Sequence, residues 1–128
     1  MNGSTFHIIR LALGFSNAKL AKRLRKGARG LASYEAREYE PPAEVSQQMT
    51  ELLEEMTSKL EHLMALRAGS QTTKTFWLYR TTEELHQAHP EEFADWDIEN
   101  YRQYLAHAIV ILQLKGIAYN VLSPAVDQ

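Results

Sequence analysis

The sequence predicts a mainly α-helical protein: an N-terminal bundle with a helix-turn-helix unit, a long connecting helix, and a small C-terminal α+β part with two short strands. Three observations predict this class. Apolar residues recur at helical spacing through most of the chain. Serine, threonine or aspartate precedes several of these stretches and glycine or proline follows them, which is typical of helix boundaries. Residues 75–79 and 117–122 are rich in aromatic and β-branched residues, as strands are.

Composition limits the class of protein. The 128 residues are enough to bury the core of one domain or of two very small ones. There is no cysteine, which excludes a disulfide framework and a thiolate zinc site and fits a reducing compartment. The longest apolar run, residues 108–112, is far too short to cross a membrane, and the N-terminal residues lack a signal-peptide pattern. We therefore expect a cytoplasmic protein without a membrane partner.

The first two helices are expected before residue 25. Ser4 or Thr5 can cap a first helix that reaches about Leu13, where Gly14 ends it. Ser16 can cap the second helix because its hydroxyl can accept an orphan backbone N–H. The buried stripe of this second helix consists of three residues at helical spacing: Leu20, Ala21 and Leu24.

A basic, glycine-containing turn separates the second helix from a third. The third helix is expected from about Ala28 to Ala36, with Leu31 and Tyr34 buried. Pro41 and Pro42 are expected to stop it, since proline disfavours helical backbone at the residue before it. Two helices joined by a short turn in this space form a helix-turn-helix unit.

Charge is distributed unevenly along the chain. Residues 1–34 contain seven basic residues and no acidic one, whereas residues 43–128 contain six basic and thirteen acidic ones. The formal net charge of −2 conceals this division. A basic patch on one small helical unit suits phosphate neutralisation, although a solvated helix face is the usual alternative. Together with the two-helix pattern, the patch predicts double-stranded DNA as the partner.

About the first half of the chain resembles the Cro/C1-type repressors, also called the xenobiotic-response-element family. Seven residues carry the resemblance: Leu20-Ala21, Leu31, Tyr34-Glu35 and Pro41-Pro42. It implies a lambda-repressor-like bundle that binds a specific DNA operator. Family members often have glycine where Arg25 and Arg37 stand and an apolar residue where Lys26 stands. An arginine with positive φ is costly because its Cβ crowds the backbone.

The third helix is expected to enter the major groove. Arg29 and Ser33 lie near its start, away from the buried side, and are the base-reading candidates; Arg29 suits a bidentate contact to guanine. The resemblance adds Asn17, which opens the second helix, where an amide touches phosphate or supports a base-reading side chain. We expect Glu35 to fix the helix end rather than touch anionic DNA. The phosphate candidates are basic residues of this region: Lys19, Lys22, Arg23, Lys26 and Arg37.

A long helix is expected from Pro42 to about Arg67. Six apolar residues repeat along it at steps of three or four: Val45, Met49, Leu52, Met56, Leu60 and Leu63. This is close to a heptad seam, which can meet a second copy or pack as ordinary core. The small, polar stretch 68–74 is the expected linker. The sequence thus predicts a DNA-binding domain with the long helix over residues 1–67 and a dimerisation domain over residues 68–128.

The C-terminal part is expected to alternate strands and helices. The two strand candidates flank a helix capped near Thr81 and ended by Pro90, and a second helix from Asp97 to about Lys115. The second helix is apolar nearly all round in its C-terminal half, so we expect it to be buried, with Gly116 ending it. Because an isolated hairpin is only marginally stable, the small ribbon needs the long helix or a partner chain.

Residues 77–116 resemble the C-terminal part of small helix-turn-helix regulators that include anti-CRISPR-associated repressors and their DNA-binding relatives. The strand, the segment YRTTEELHQAHPEEFADW and the closing helix carry this resemblance. It implies a homodimer that binds inverted repeats in the promoter of its own operon, and some members also bind messenger RNA. The expected dimerisation residues are apolar ones of this part: Phe76, Trp77, Tyr79, Ile109 and Leu112.

No catalytic or cofactor motif is recognisable. His86 and His89 stand three residues apart and could bind a metal, but no third ligand follows at a recognisable spacing. There is no nucleophile elbow, phosphate loop or zinc-protease motif. We therefore expect neither an enzyme nor a metal nor a cofactor, and predict an autoregulatory transcriptional repressor. Two alternatives stay open: an antitoxin-type module whose acidic part binds a protein, and an RNA-binding regulator that uses the same basic face.

Overall fold

The computed structural model describes residues 1–67 and 73–124, which form six helices and two short strands. The elements are α1 (Gly3–Leu13), α2 (Asn17–Leu24), α3 (Ala28–Glu35), α4 (Ala43–Met64), β1 (Lys74–Trp77), α5 (Thr82–Ala88), α6 (Ile98–Lys115) and β2 (Tyr119–Leu122). The mainly helical class with two short strands is confirmed. No helix in these residues is both long and apolar enough to cross a membrane.

The chain divides into two compact units, Met1–Thr57 and Ser58–Gln128, and α4 runs through the boundary. These units are called unit 1 and unit 2 below. The predicted functional domains, 1–67 and 68–128, stay a prediction. Of the expected linker, residues 68–72 lie outside the described residues, and Lys74 begins β1.

Local hydrogen bonds explain where the first helices begin and end. α1 begins at Gly3 rather than after Ser4 or Thr5, because the Asn2 side chain accepts the Thr5 backbone N–H at 2.8 Å. Gly14 ends α1 in the left-handed conformation, as predicted. Ser16 caps α2 as predicted, with its hydroxyl 3.2 Å from the Lys19 backbone nitrogen.

α3 is a short helix held by one buried residue and one half-buried ring. Leu31 is fully buried, while Tyr34 is half-buried and meets Phe6 edge-on at 5.5 Å between ring centroids. The helix ends at Glu35, well before Pro41, so the predicted stop by proline is wrong. The start of α1 comes close to the backbone of α3 near this end. A Cβ on Gly3 would stand 1.9 Å from the Tyr34 carbonyl oxygen.

Unit 1 has a continuous apolar core to which each of its helices contributes. The side chains that are at most 2% exposed include residues from α1, α2, α3 and α4: Phe6, Leu13, Leu20, Leu31, Val45, Met49 and Met56. The predicted seam of α4 is therefore buried here. In unit 2 the last two seam residues, Leu60 and Leu63, are buried as well.

In unit 2 the two strands pair in parallel, with Lys74 opposite Tyr119 and Trp77 opposite Leu122. The pair is therefore no hairpin. The chain between β1 and β2 contains α5 and α6, and parallel strands need a long crossover connection of this kind. The Tyr101 hydroxyl of α6 donates to the Trp77 carbonyl at 2.7 Å and so ties α6 to β1.

Aromatic rings fill much of the core of unit 2. Phe93 lies at its centre, with ring centroids 5.0 Å from Tyr101, 5.5 Å from Tyr104 and 5.6 Å from Trp96. The Lys59 ammonium lies 4.9 Å from the Phe93 centroid. Burial raises the pKa of Tyr104 to about 12, with a smaller contribution from a nearby carboxylate.

α6 has the predicted ends but not the predicted burial. Asp97 and Asn100 form a capping box, and Gly116 ends the helix with φ 68°. Along its C-terminal half, however, Val110 is 58% exposed and Leu114 is 83% exposed. The expectation of a helix buried nearly all round is wrong, because only one face of its C-terminal half meets the core.

Candidate nucleic-acid interface

A part-buried polar network joins α1, α2 and α3. The Arg10 side chain donates from Nε to Glu35 Oε1 at 2.5 Å and from Nη1 to the Phe15 carbonyl at 2.7 Å. The side chains of Arg10 and Glu35 are only 12% and 14% exposed. His7 Nδ1 lies 3.1 Å from Glu35 Oε1, and Asn17 donates to Glu35 Oε2 at 3.4 Å. Glu35 therefore fixes three helices, a wider role than the predicted one at a helix end.

The protein environment keeps Glu35 ionised. Burial is the largest single effect and raises the pKa of its carboxyl group. Four effects together outweigh burial and hold this pKa below the ordinary glutamate value of 4.5: the hydrogen bonds from Arg10 and His7, the charge of Arg10 and the hydrogen bond from Asn17. The first acidic residue of the chain thus faces inward, and its charge is matched by Arg10.

Asn17 belongs to this network. Its amide nitrogen donates to Glu35, and its Oδ1 atom is buried without a hydrogen-bond partner in the described residues. The side chain is half-buried, so a direct contact with a base edge requires it to leave Glu35. This placement fits the supporting role implied by the resemblance better than base reading.

The other predicted base-reading residues lie on α3. Arg29 is exposed in the first turn of the helix. Ser33 is half-buried, and its hydroxyl donates to the Arg29 carbonyl oxygen at 3.1 Å. Because that hydrogen atom is already used within the helix, Ser33 can offer a partner only acceptor lone pairs.

The predicted phosphate residues fall into two groups. Arg23 lies 3.6 Å from Glu55, and Lys26 lies 3.5 Å from Glu44, so two acids of α4 compete with any external anion. Such partly exposed pairs contribute at most about 1 kcal/mol and can exchange partners. Lys19, Lys22 and Arg37 are exposed. For Lys22 and Arg37, the described residues place no carboxylate within ion-pair distance.

The turns on both sides of α3 have left-handed backbone at an arginine. Arg25 has φ 57° at the end of α2, and Arg37 has φ 64° after α3. These are the two positions at which the resemblance expects glycine. Arg25 was not among the predicted contact residues. Its place in the basic run, between Arg23 and Lys26, was the signal available in the sequence.

The predicted dimerisation residues differ in accessibility. Phe76, Trp77 and Ile109 are half-buried and offer surface. Tyr79 and Leu112 are 8% and 0% exposed in a single chain, so they pack in its own core and offer little or nothing to a second chain. Other apolar residues of unit 2 are exposed but were not predicted as dimer contacts. They include Leu78, Val110, Leu114 and Val121.

The two histidines of the considered metal pair make contacts inside unit 2. His86 Nε2 lies 2.7 Å from the Trp96 carbonyl oxygen. His89 Nε2 lies 3.2 Å from the Tyr79 hydroxyl, and its Nδ1 lies 3.6 Å from Glu92. The part of the chain that the structure describes contains no group of three potential ligands that could hold a metal ion.

The geometry of unit 1 therefore combines a linked interior with a local basic patch on its surface. The part-buried Arg10–Glu35 pair links α1 to the end of α3, and exposed basic side chains lie along α2, the following turn and the start of α3. A surface of this kind can bind a polyanion without large rearrangement. Comparison with known proteins adds no identity to this picture, since the chain matches no family model and no curated protein.

Proposed function

We propose that this protein is a sequence-specific, DNA-binding transcriptional repressor. In this proposal α2, the turn and α3 act as a helix-turn-helix unit, and α3 enters the major groove. The observation that carries the proposal is the separation of charge in unit 1. The first 34 residues bring seven basic residues and no acid, and the first acid, Glu35, is turned inward onto Arg10.

The dimensions and surface of α3 support this role. With side chains, a helix such as α3 is about 10–12 Å in diameter, which fits a major groove about 12 Å wide. Arg29 is exposed in its first turn. At the neighbouring Gly30 no atom lies within 4 Å of the position that a Cβ would take. The fold does not require glycine there, and its absent side chain leaves room for close approach by a partner.

Phosphate contacts are assigned to the basic residues around α3. Lys22 and Arg37 supply charge that the described residues do not neutralise. Arg23 and Lys26 can add to this by leaving Glu55 and Glu44. These contacts position the protein on the duplex, whereas Arg29 distinguishes bases.

A homodimer that binds an inverted repeat completes the proposal. One reading helix covers too few base pairs for useful specificity, and two-fold symmetry places two such helices about 34 Å apart, or a multiple of that distance. The exposed Val110 and Leu114 lie one turn apart on α6 and provide apolar surface for a second copy. Control of its own promoter rests on the family resemblance.

Selection from a pool of random duplexes tests the proposal. The purified full chain is expected to enrich an inverted repeat. Near physiological salt it is expected to bind that duplex at least about 10³-fold more tightly than a scrambled one. Single-stranded RNA of the same sequence is the comparison ligand. Failure to enrich any duplex, or binding of the RNA alone, contradicts the proposal, and the second result favours the RNA-binding alternative.

A further inference from the structure

Two exposed arginines stand at backbone positions that favour glycine. Across the described residues, four have positive φ: Gly14, Gly116, Arg25 and Arg37. At Arg25 and Arg37 the φ values are 57° and 64°, where the Cβ of an L-residue crowds the backbone and glycine is unstrained. The fold therefore bears strain at these two positions that a glycine would remove.

The surrounding protein does not use the charge of either arginine. Both side chains are exposed, and none of the ion pairs among the described residues includes them. The contrast with their neighbours is direct, because Arg23 and Lys26, on either side of Arg25, have carboxylates at 3.6 and 3.5 Å. Intramolecular contacts thus give no reason for arginine at positions 25 and 37.

The positions of Arg25 and Arg37 in the chain give a reason for arginine at both of them. Arg25 stands shortly before α3 and Arg37 shortly after it, so the two residues bracket a helix that spans about 12 Å. When a reading helix lies in the major groove, the helix before it crosses the DNA backbone and its own C-terminal end contacts the backbone, so residues that flank the reading helix lie near phosphates. Strained residues that persist in a fold are found most often at functional sites.

We propose that Arg25 and Arg37 form a phosphate clamp that grips the two DNA backbones flanking the groove in which α3 lies. This inference rests on the proposed function and adds to it Arg25 as a contact residue. The left-handed backbone itself ends α2 and follows α3, as it does at Gly14 and Gly116, and the proposal assigns to DNA binding the presence of arginine rather than glycine at these two positions. Each arginine neutralises one phosphate, and the cost in fold stability is offset when the duplex is bound.

The test uses Arg25→Gly, Arg37→Gly and the double variant of the full chain. Each single substitution is expected to raise Tm by a few degrees, because it relieves strain. On the selected duplex, each single substitution is expected to lower affinity about 5- to 30-fold. It is also expected to reduce the magnitude of the slope of log K against log salt by about 0.9. A residue with a merely structural role would not combine higher stability with weaker binding.

Two controls accompany these variants. Arg25→Lys keeps the charge and the Cβ, so it is expected to keep the salt slope and the lower Tm of the wild type. Arg102→Ala removes an exposed arginine of α6 and is expected to leave the salt slope unchanged. Scrambled duplex is titrated alongside, and the glycine variants are expected to lose affinity for it as well.

Three results would overturn the clamp. If the wild type binds duplex DNA and both glycine variants keep its affinity and slope, the clamp is absent while the proposed function stands. If the glycine variants lower Tm, the arginines have a structural role. If the wild type binds no duplex, the proposed function fails and the clamp fails with it.

Discussion

Glu35 links the three short helices of unit 1 through its side chain. It accepts hydrogen bonds from α1 through Arg10 and from α2 through Asn17, although it lies at the end of α3. Short helices of eight to eleven residues have little stability alone, so their placement depends on contacts of this kind. Removing one partner of a buried pair leaves the other charge without compensation.

Glu35→Gln is therefore expected to lower the free energy of unfolding by about 2 kcal/mol at pH 7, as for loss of a charged hydrogen bond. Its folded-state pKa lies below 4.5, so its contribution is complete above that pH and is lost as pH falls through the folded value. The difference between wild type and variant should thus shrink below about pH 4.5. Urea unfolding at several pH values measures it, with exposed Glu38→Gln as control. A difference that is independent of pH would contradict the assignment.

At the scale of single residues, the sequence indicates which residues carry charge but not which of them already form ion pairs within the fold. The basic candidates of the second and third helices could be identified from their types. The pairing of Arg23 with Glu55 could not, because those residues come together only when α2 packs beside α4. Likewise, the contact of the Asn17 amide with Glu35 could not be predicted, because the start of α2 and the end of α3 come together only in the fold.

At the scale of elements, the contact between α1 and α3 depends on a missing side chain. Gly3 lies so close to the Tyr34 carbonyl that a Cβ would stand 1.9 Å from its oxygen. Since that neighbour is backbone, only a shift of a whole helix could relieve the overlap. Gly30, in contrast, has open space around the same position. The fold thus requires glycine at position 3 but leaves room for a side chain at position 30.

Gly3→Ala is expected to destabilise unit 1 by about 1–3 kcal/mol, as overpacking does. Gly30→Ala is expected to stabilise it by up to about 1 kcal/mol, because alanine favours helix and meets no neighbour. Urea unfolding of the full chain compares the two. Stabilisation by both substitutions would show that helix propensity, rather than the approach of α1 to α3, determines the result.

Helix boundaries were the most predictable elements, because the caps act locally. Ser16, Asp97 and Gly116 have the predicted roles since each depends only on residues a few positions away. The parallel pairing of β1 with β2 and the exposure of Leu114 were not predictable. Strand direction depends on how the chain returns, and a helix that is apolar on several sides does not reveal which side meets the core.

At the scale of the whole molecule, the proposed repressor needs a surface for a second copy. Leu114 and Val110 are more exposed than apolar residues of a helix usually are, and they lie on one side of α6. Their exposure also means that they can be changed without loss of core packing. This distinguishes them from Leu112, which is fully buried.

The double variant Val110→Lys/Leu114→Lys is therefore expected to remain folded, with Tm close to that of the wild type, and to become monomeric. Light scattering at micromolar concentration measures its mass, and Ala94→Lys, at another exposed position of unit 2, is the control. The monomer should bind the selected duplex about 10²-fold more weakly or worse, since bivalent binding is lost. A wild type that is already monomeric would contradict the dimer.

In the proposed complex, α3 reads bases while the basic residues around it hold phosphates. Titration of Arg29→Ala and Lys22→Ala on the selected and the scrambled duplex tests it most directly. Arg29→Ala should lose about 1–3 kcal/mol on the selected duplex and much less on the scrambled one. Lys22→Ala should weaken both alike and lower the salt slope by about one. Equal losses on both duplexes for Arg29→Ala, with no change in salt slope for Lys22→Ala, would contradict the account.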